Sequence, residues 1–209
     1  MSPFPFVECR DPACRLRFPL LPPAQTAVCP HCGGPLPPPP ELAAGPPPEL
    51  AEGPPLVALL DNIRSIYNVG SMFRTADGAG FSQLYLAGIT ATPEHPKVVK
   101  TALGAEQAVA WSYHRHGPTA AAELQTAGYQ LLALEKSAHS QPLAAIPLDL
   151  TQPVALVVGN EICGIDPAIL ALADYVAHLP MYGRKQSLNV VVAFGVAAYW
   201  LRKQVQHVG

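Results

Sequence analysis

Two apolar runs and a long apolar helix lie within residues 153–203, and this segment limits the fold more than any other part of the chain. The run at 154–158 is followed by Gly159, and the run at 175–179 by a loop that contains Gly183. In open parallel sheets, ligands bind at the carboxyl ends of the strands, and glycine lets the backbone approach a ligand closely. The segment therefore predicts a ligand site at these two loops.

The last helix is predicted to follow Ser187 as its N-cap and to be apolar on almost every side. A helix without a polar face has to be buried nearly all round. In a domain of this size a second subunit is the simplest cover, so we expect a homodimer through the C-terminal domain. Gly195 costs this helix about 1 kcal/mol relative to alanine, and close packing of helices across the dimer would explain it.

Between residues 56 and 153, apolar runs alternate with helical patterns. Strands are predicted at 56–60, 81–87, 108–113 and 129–135, and helices at 68–78, 96–103 and 119–127. This alternation predicts an α/β fold, a parallel sheet with helices on both faces. Farther along, Asp166 and Pro167 are typical of a helix N-cap and first helical position.

Four cysteines near the N-terminus have the spacing of a metal site, C-x(4)-C followed by C-x(2)-C: Cys9, Cys14, Cys29 and Cys32. Two such pairs suit a tetrahedral, all-cysteine zinc site in a ribbon-like module, predicted over residues 1–34. A segment this short buries too little surface to fold alone, so a structural Zn²⁺ would stabilise it. Two disulfides in a secreted module are the alternative, and the lack of a signal peptide argues against them.

Residues 35–55 contain ten prolines, which favours an extended, semi-rigid linker. The predicted organisation is therefore the zinc-ribbon-like module, this linker, and an α/β domain at 56–209. On the module, Arg10, Arg15 and Arg17 with Phe18 offer either a surface for RNA phosphates and bases or three solvated cations.

The net charge and the hydropathy do not by themselves indicate which class of molecule the chain binds. The formal net charge is −2 and the pI about 6.4, whereas nucleic-acid binders are more often strongly basic. An RNA-binding chain of this composition would need its cations gathered on one face. The longest apolar run, 190–201, is shorter than the roughly 20 residues of a membrane span, and we expect a cytoplasmic protein.

Three separated motifs resemble those of the SpoU (TrmH-type) RNA 2′-O-methyltransferases. They are Asn62 to Arg74 in the pattern N-x(5)-N-x-G-x(3)-R, Gly159-Asn160-Glu161 with Gly164, and residues 179–190. The resemblance covers about residues 56–203 and implies a SPOUT fold with a C-terminal trefoil knot around 154–203. It also implies S-adenosylmethionine as cofactor and methyl transfer to a ribose 2′-hydroxyl of tRNA or rRNA.

The resemblance also implies roles for individual residues. The catalytic set is Asn68, Arg74, Glu161, Ser187 and Asn189, and the cofactor-binding set is Gly159, Leu179, Met181, Ser187 and Leu188. Because a guanidinium does not give up its proton near neutral pH, we expect Arg74 to clamp an RNA phosphate and orient the hydroxyl. Asn68 would position Arg74 or the ribose, and Glu161 would pair with an arginine or steady the loops.

Each of these residues also has a purely structural explanation. Asn68 and Ser187 could be helix caps, and Arg74 an exposed helix residue. Two other functions stay open: a non-catalytic RNA-binding or assembly factor that kept the fold, and a methyltransferase that acts on a base nitrogen. The Asn68 and Arg74 motif favours the ribose over the base.

Overall fold

The computed structural model describes residues 6–20, 28–37 and 53–206, and the chain divides into two compact units, Met1–Glu49 and Leu50–Gly209. In the small unit, β1 (Phe6–Glu8) pairs antiparallel with β2 (Arg17–Pro19). Its buried core consists of Val7, Cys9, Cys29 and Leu36. Leu36, predicted to lie in the linker, thus packs within this unit, and residues 38–52 of the predicted linker lie outside the described residues.

The large unit is built around a seven-stranded sheet in which every pairing is parallel. In chain order its strands are β3 (Leu56–Asp61), β4 (Gln83–Ala87), β5 (Ala110–His114), β6 (Gln130–Leu134), β7 (Gln141–Pro142), β8 (Val154–Val158) and β9 (Tyr175–His178). Across the sheet the order is β5-β4-β3-β8-β6-β9-β7. The central strands β3 and β8 are buried at every residue, as near-continuous apolar runs in a parallel sheet require.

Within the described residues, six α-helices flank the sheet. They are α1 (Ile66–Gly78), α2 (Pro96–Ala102), α3 (Ala105–Ala108), α4 (Gly117–Thr126), α5 (Pro167–Leu170) and α6 (Val190–Gln206). Alternate residues of β3 face opposite layers: Leu56 belongs to the core shared with α1 and α6, and Val57 to the core shared with α4 and α5. The predicted α/β fold, a parallel sheet with helices on both faces, is confirmed, and the trefoil knot around 154–203 stays a prediction.

Local sequence signals predicted the boundaries of some helices and strands correctly and those of others wrongly. The strand at 154–158 and the Asp166 N-cap of α5 are confirmed. However, α1 begins at Ile66 and not at Asn68, because the Ser65 hydroxyl accepts a hydrogen bond from the Asn68 amide and caps the helix earlier. The short elements β7 and α3 were not predicted, since two to four residues carry no readable periodicity.

The long helix α6 differs from its prediction at its start and in its burial. Asn189, and not Ser187, occupies the capping position, because Asn189 Oδ1 accepts a hydrogen bond from the Val191 amide at 2.9 Å. One face packs into the core, but three large apolar residues are about half exposed and form what we call the α6 stripe: Val192, Val196 and Tyr199. Among the described residues, no helix is long and apolar enough to cross a membrane.

Candidate active site and metal centre

A cavity of about 440 Å³ lies at the carboxyl ends of β6, β8 and β9, beside the start of α6. Residues of the second and third motifs converge on it from loops that follow different strands. Seven of the predicted site residues line this cavity: Gly159, Glu161, Leu179, Met181, Ser187, Leu188 and Asn189. They include the whole predicted cofactor-binding set. The two predicted residues of the first motif, Asn68 and Arg74, are not among the lining residues.

Sequence reasoning missed several lining residues that come from the ends of β6 and β9. Glu135 and Lys136 follow β6, and His178 is the last residue of β9. Both strands were predicted, and residues at the carboxyl ends of parallel strands are site candidates. What the sequence does not reveal is that β6 lies between β8 and β9, so nothing singled out this strand end from the others.

The loop after β8 is a tight turn that forms one wall of the cavity. The backbones of Asn160 and Gly164 exchange two hydrogen bonds of 2.9 Å. Asn160 Oδ1 accepts from the Ile162 and Cys163 amides at 2.9 and 3.1 Å. A Cβ at Gly159 would overlap the backbone of Gly164, and Gly164 itself has a φ of +76°, which favours glycine. The two glycines of the second motif are therefore required by the turn.

Glu161 joins this loop to the first motif. Its carboxylate accepts hydrogen bonds from the Arg64 amide at 2.9 Å, the Ser65 amide at 3.0 Å and Asn68 Nδ2 at 2.7 Å. A negative charge at the start of α1 also interacts favourably with the helix dipole. Partial burial raises the pKa of Glu161, but the hydrogen bonds outweigh it and the net shift is downward. Of the two roles predicted for Glu161, this geometry matches the one that steadies the motif loops.

Arg74 lies on the exposed side of α1, in its third turn. It is six residues after Asn68, and six residues rotate about 240° around a helix, so the two side chains leave α1 in different directions. Asn68 bonds to Glu161, and in the part of the chain that the structure describes, no hydrogen bond or ion pair joins Asn68 to Arg74. The expectation that Asn68 positions Arg74 has no contact to support it.

Asp61, at the end of β3, was also missed and ties two loops together. The residue as a whole is 1% exposed. One carboxylate oxygen accepts from Asn62 Nδ2 at 2.7 Å, and the other accepts from the Asp166 amide at 2.9 Å, which fixes the start of α5. Burial raises the pKa of Asp61, and the negative charge of Asp166 raises it further. The hydrogen bonds from the Asp166 amide and from Asn62 lower the pKa, but the net shift is upward.

The small unit brings its four predicted metal ligands together. The Sγ atoms of Cys9, Cys14, Cys29 and Cys32 all lie within 4.8 Å of one another. Those of Cys9 and Cys32 are 3.4 Å apart, and those of Cys14 and Cys29 are 3.8 Å apart. Zn–S bonds of about 2.3 Å in a tetrahedron place sulfurs about 3.8 Å apart, so the cluster could hold a zinc ion. A hydrogen bond from the Cys32 amide is the largest factor that lowers the pKa of Cys29, to about 7, which favours its thiolate. For Cys9 and Cys14, the largest factor, a backbone hydrogen bond, lowers the pKa, but burial and neighbouring thiols outweigh it and the net shift is upward.

The arginines of the small unit are partly engaged by their own module. Arg15 forms an ion pair with Glu8 at 3.1 Å, and the Arg17 guanidinium lies 5.9 Å from the centre of the Phe6 ring. Arg10 is exposed. Phe6, which is 55% exposed, and not Phe18, is therefore the aromatic partner of these cations.

The family model described as the SpoU rRNA Methylase family matches residues 55–199. The chain belongs to this SpoU family. The match confirms the resemblance inferred from the three motifs, and it begins after the cysteine cluster, so the small unit lies outside the matched range.

Two curated relatives illustrate the family. The 23S rRNA (guanosine(2553)-2′-O)-methyltransferase RlmP of Bacillus subtilis is 35% identical over 148 residues, which are 70% of this SpoU chain and 57% of the relative. The tRNA (guanosine(18)-2′-O)-methyltransferase of Aquifex aeolicus is 32% identical over 155 residues, 74% of this chain and 72% of the relative. The chain thus spans little more than half the length of the Bacillus protein.

Two solved structures have the same fold as this SpoU chain. The Aquifex aeolicus TrmH/SpoU tRNA modifying enzyme superposes with a TM-score of 0.68 at 29% identity, over 77% of this chain and 80% of that one. An AdoMet-bound rRNA methyltransferase from Sinorhizobium meliloti gives a TM-score of 0.67 at 28% identity, over 75% of this chain and 59% of that one.

Proposed function

We propose that this chain is an S-adenosylmethionine-dependent RNA methyltransferase that acts on a ribose 2′-hydroxyl of tRNA or rRNA. The observation that carries the proposal is the convergence of the second and third motifs on one cavity at the ends of β6, β8 and β9. Membership of the SpoU family supports it, as do the names of the Bacillus and Aquifex relatives and the AdoMet bound to the Sinorhizobium protein.

The cavity has the size and lining that this cofactor requires. Its volume of about 440 Å³ falls within the roughly 300–1,000 Å³ of small-molecule sites. Leu179, Met181 and Leu188 would supply the apolar slot for the adenosine, and Gly159 would let the backbone approach it. Bound S-adenosylmethionine would supply the electrophilic methyl group. We also propose that residues 154–203 are threaded as the trefoil knot that the resemblance implies, which would hold the two loops against each other.

On the acceptor side, we assign different tasks to residues of the three motifs. Glu161 and Asn68 would fix the start of α1 relative to the cavity through their hydrogen bond. Ser187 and Asn189, which line the cavity, would position the acceptor ribose beside the cofactor. Arg74, exposed on α1, would bind an RNA phosphate and orient the hydroxyl, and the phosphate or a water would take the proton.

We propose that the protein is a homodimer in which a second copy covers the α6 stripe. The stripe exposes three large apolar side chains on one helix, which is costly in water. α1 packs beside α6 at this surface, since a Cβ at Gly78 would lie 2.7 Å from Tyr199 Oη. The dimer would therefore place Arg74 at the edge of the interface, where an RNA bound across both copies would reach it.

For the small unit we propose a structural Zn²⁺ and a part in choosing the RNA. The sulfur geometry supports the metal, and the exposed Phe6 with Arg17 and Arg10 supports contact with an unpaired base or a phosphate. Deleting residues 1–50 should spare dimerisation and cofactor binding but weaken RNA affinity, measured by filter binding. Unchanged RNA affinity would remove the proposed role of this unit.

The methyltransferase proposal is tested by incubating the protein and labelled S-adenosylmethionine with transcribed tRNA and rRNA, and then mapping the label on digested nucleosides. We expect label on ribose. Label on a base would favour the base-directed alternative, and cofactor binding without transfer to any RNA would favour the non-catalytic RNA-binding factor.

A further inference from the structure

The cavity contains one carboxylate to which the proposed function assigns no role, Glu135. Its backbone amide donates to the Ala177 carbonyl at 2.8 Å, which fixes the residue at the junction of β6 and β9. Its side chain turns towards the second motif, where Oε2 accepts from the Ile165 amide at 3.1 Å. A Cβ at Gly164 would lie 2.5 Å from Oε2. The carboxylate is therefore held in place within the cavity wall.

Glu135 differs from the other carboxylate in the cavity. Glu161 already accepts three hydrogen bonds through both of its oxygens. For Glu135, the single hydrogen bond within the described residues goes to Oε2, and Oε1 keeps its capacity to interact with a ligand. Glu135 is also partly buried, so its field is screened less than that of a surface charge.

The other ionisable groups in the lining form no ion pair with this carboxylate. Lys136 is exposed, and its Nζ donates to the Gln186 carbonyl at 3.4 Å. His178 is joined through Nδ1 to Ser140 Oγ at 2.9 Å. No ion pair joins Glu135 to a cation within residues 6–20, 28–37 and 53–206. Within the described residues, the carboxylate of Glu135 therefore lines the cavity without an ion-pair partner.

We propose that Glu135 makes the cavity select the positively charged sulfonium cofactor over the neutral thioether product. This inference rests on the proposed function and deepens it. S-adenosylmethionine carries a permanent positive charge at sulfur, and S-adenosylhomocysteine lacks it; their adenosine and amino-acid parts are identical. A fixed carboxylate in a partly desolvated cavity attracts the first more than the second. After methyl transfer, the loss of this attraction favours release of the product and entry of fresh cofactor.

The test is the ratio of two dissociation constants, measured by isothermal titration calorimetry with S-adenosylmethionine and S-adenosylhomocysteine. Interactions common to the two ligands cancel in this ratio. In Glu135→Gln, the amide oxygen can still accept from the Ile165 amide, so the shape of the wall is kept. We expect the preference for S-adenosylmethionine over S-adenosylhomocysteine to fall about tenfold, equivalent to about 1.4 kcal/mol. Sinefungin has an ammonium group in place of the sulfonium methyl, so Glu135→Gln should weaken its binding as it weakens that of the cofactor. This result would separate the effect of the positive charge from that of contacts with the methyl group.

Lys136→Gln is the matched variant of opposite sign in the same lining, and it should raise the preference for S-adenosylmethionine. It also provides the test if Glu135→Gln fails to fold, as judged by circular dichroism. If Glu135→Gln weakens all three ligands equally, or if Lys136→Gln leaves the ratio unchanged, the inference is overturned and the proposed function stands. If the wild-type protein, with RNA present, binds none of the three, the proposed function itself fails.

Discussion

Glu161→Gln tests whether one carboxylate joins the first and second motifs. The wild-type side chain accepts from the Arg64 and Ser65 amides and from Asn68 Nδ2 at 2.7–3.0 Å. Glutamine keeps one acceptor oxygen and turns an NH₂ group towards these donors, so at least one of them loses its partner. A hydrogen bond to a charged group contributes about 1.5–3 kcal/mol. Because Glu161 is partly exposed, we expect a loss of about 2 kcal/mol.

The assay is thermal unfolding followed by circular dichroism. In a unit of this size, 2 kcal/mol corresponds to a fall in Tm of about 4–8 °C. The pKa of Glu161 is lowered in the folded protein, so its stabilisation is fully present above the ordinary glutamate value of about 4.3 and is lost as the pH falls through the folded pKa. The difference between wild type and variant should therefore be largest near pH 7 and shrink below about pH 4.

Glu123→Gln is the control for Glu161→Gln. The Glu123 side chain is 60% exposed, and its ion-pair contact with His114 is long, at 3.9 Å. A surface change of this kind should stay within about 0.5 kcal/mol. A Glu161→Gln protein that unfolds at the wild-type temperature at pH 7 would refute the reasoning. So would a deficit that stays constant from pH 7 to pH 3, because it would show that the charge is not what stabilises the loop.

The remaining predictions concern other parts of the chain. Arg74→Ala should abolish methyl transfer and leave S-adenosylmethionine affinity nearly unchanged, since Arg74 lies outside the cavity; loss of both would place it in the cofactor site. Gly159→Ala should cost about 1–3 kcal/mol and weaken cofactor binding, and a variant that binds normally would contradict the tight turn. We expect one zinc ion per chain. Removal of the zinc by a chelator should make residues 6–37 sensitive to protease, while residues 53–206 stay resistant. Equal protease sensitivity with and without the metal would contradict a structural ion. Because the pKa of Asp61 is raised in the folded protein, its ionisation costs stability as the pH rises through that pKa. The Tm of the wild type should therefore increase relative to that of Asp61→Asn as the pH falls from 7. Parallel curves of Tm against pH for the two proteins would contradict this.

Much of the fold could be predicted because its main elements have local signals. The apolar run of β8 and the Asp166–Pro167 start of α5 are determined by neighbouring residues. The order of the strands is not, because β3 pairs with β8 across almost a hundred residues, as in the register Leu56 to Val154. Such pairing depends on which apolar faces cover which others, and periodicity in one segment does not contain that information.

The residues of the candidate site were likewise predicted only in part from the sequence. Residues of the second and third motifs, such as Gly159 and Leu188, were predicted to bind one cofactor and do line one cavity. Glu135 was missed because its place depends on β6 lying between β8 and β9. Asn68 and Arg74 belong to one motif yet lie on different sides of α1, and helical geometry alone explains their separation.

The hydrogen bond between Asn68 and Glu161 joins the first motif of this chain to the second. The two residues are 93 positions apart and meet at 2.7 Å, and Glu161 also accepts from two amides at the start of α1. One carboxylate thus sets the position of the helix that carries Arg74 relative to the cavity that Glu161 lines. If Arg74 binds the RNA and the cavity binds the cofactor, as we propose, the two have to be held at a fixed separation. In the proposed function, Asn68 would therefore contribute to this alignment through its hydrogen bond to Glu161.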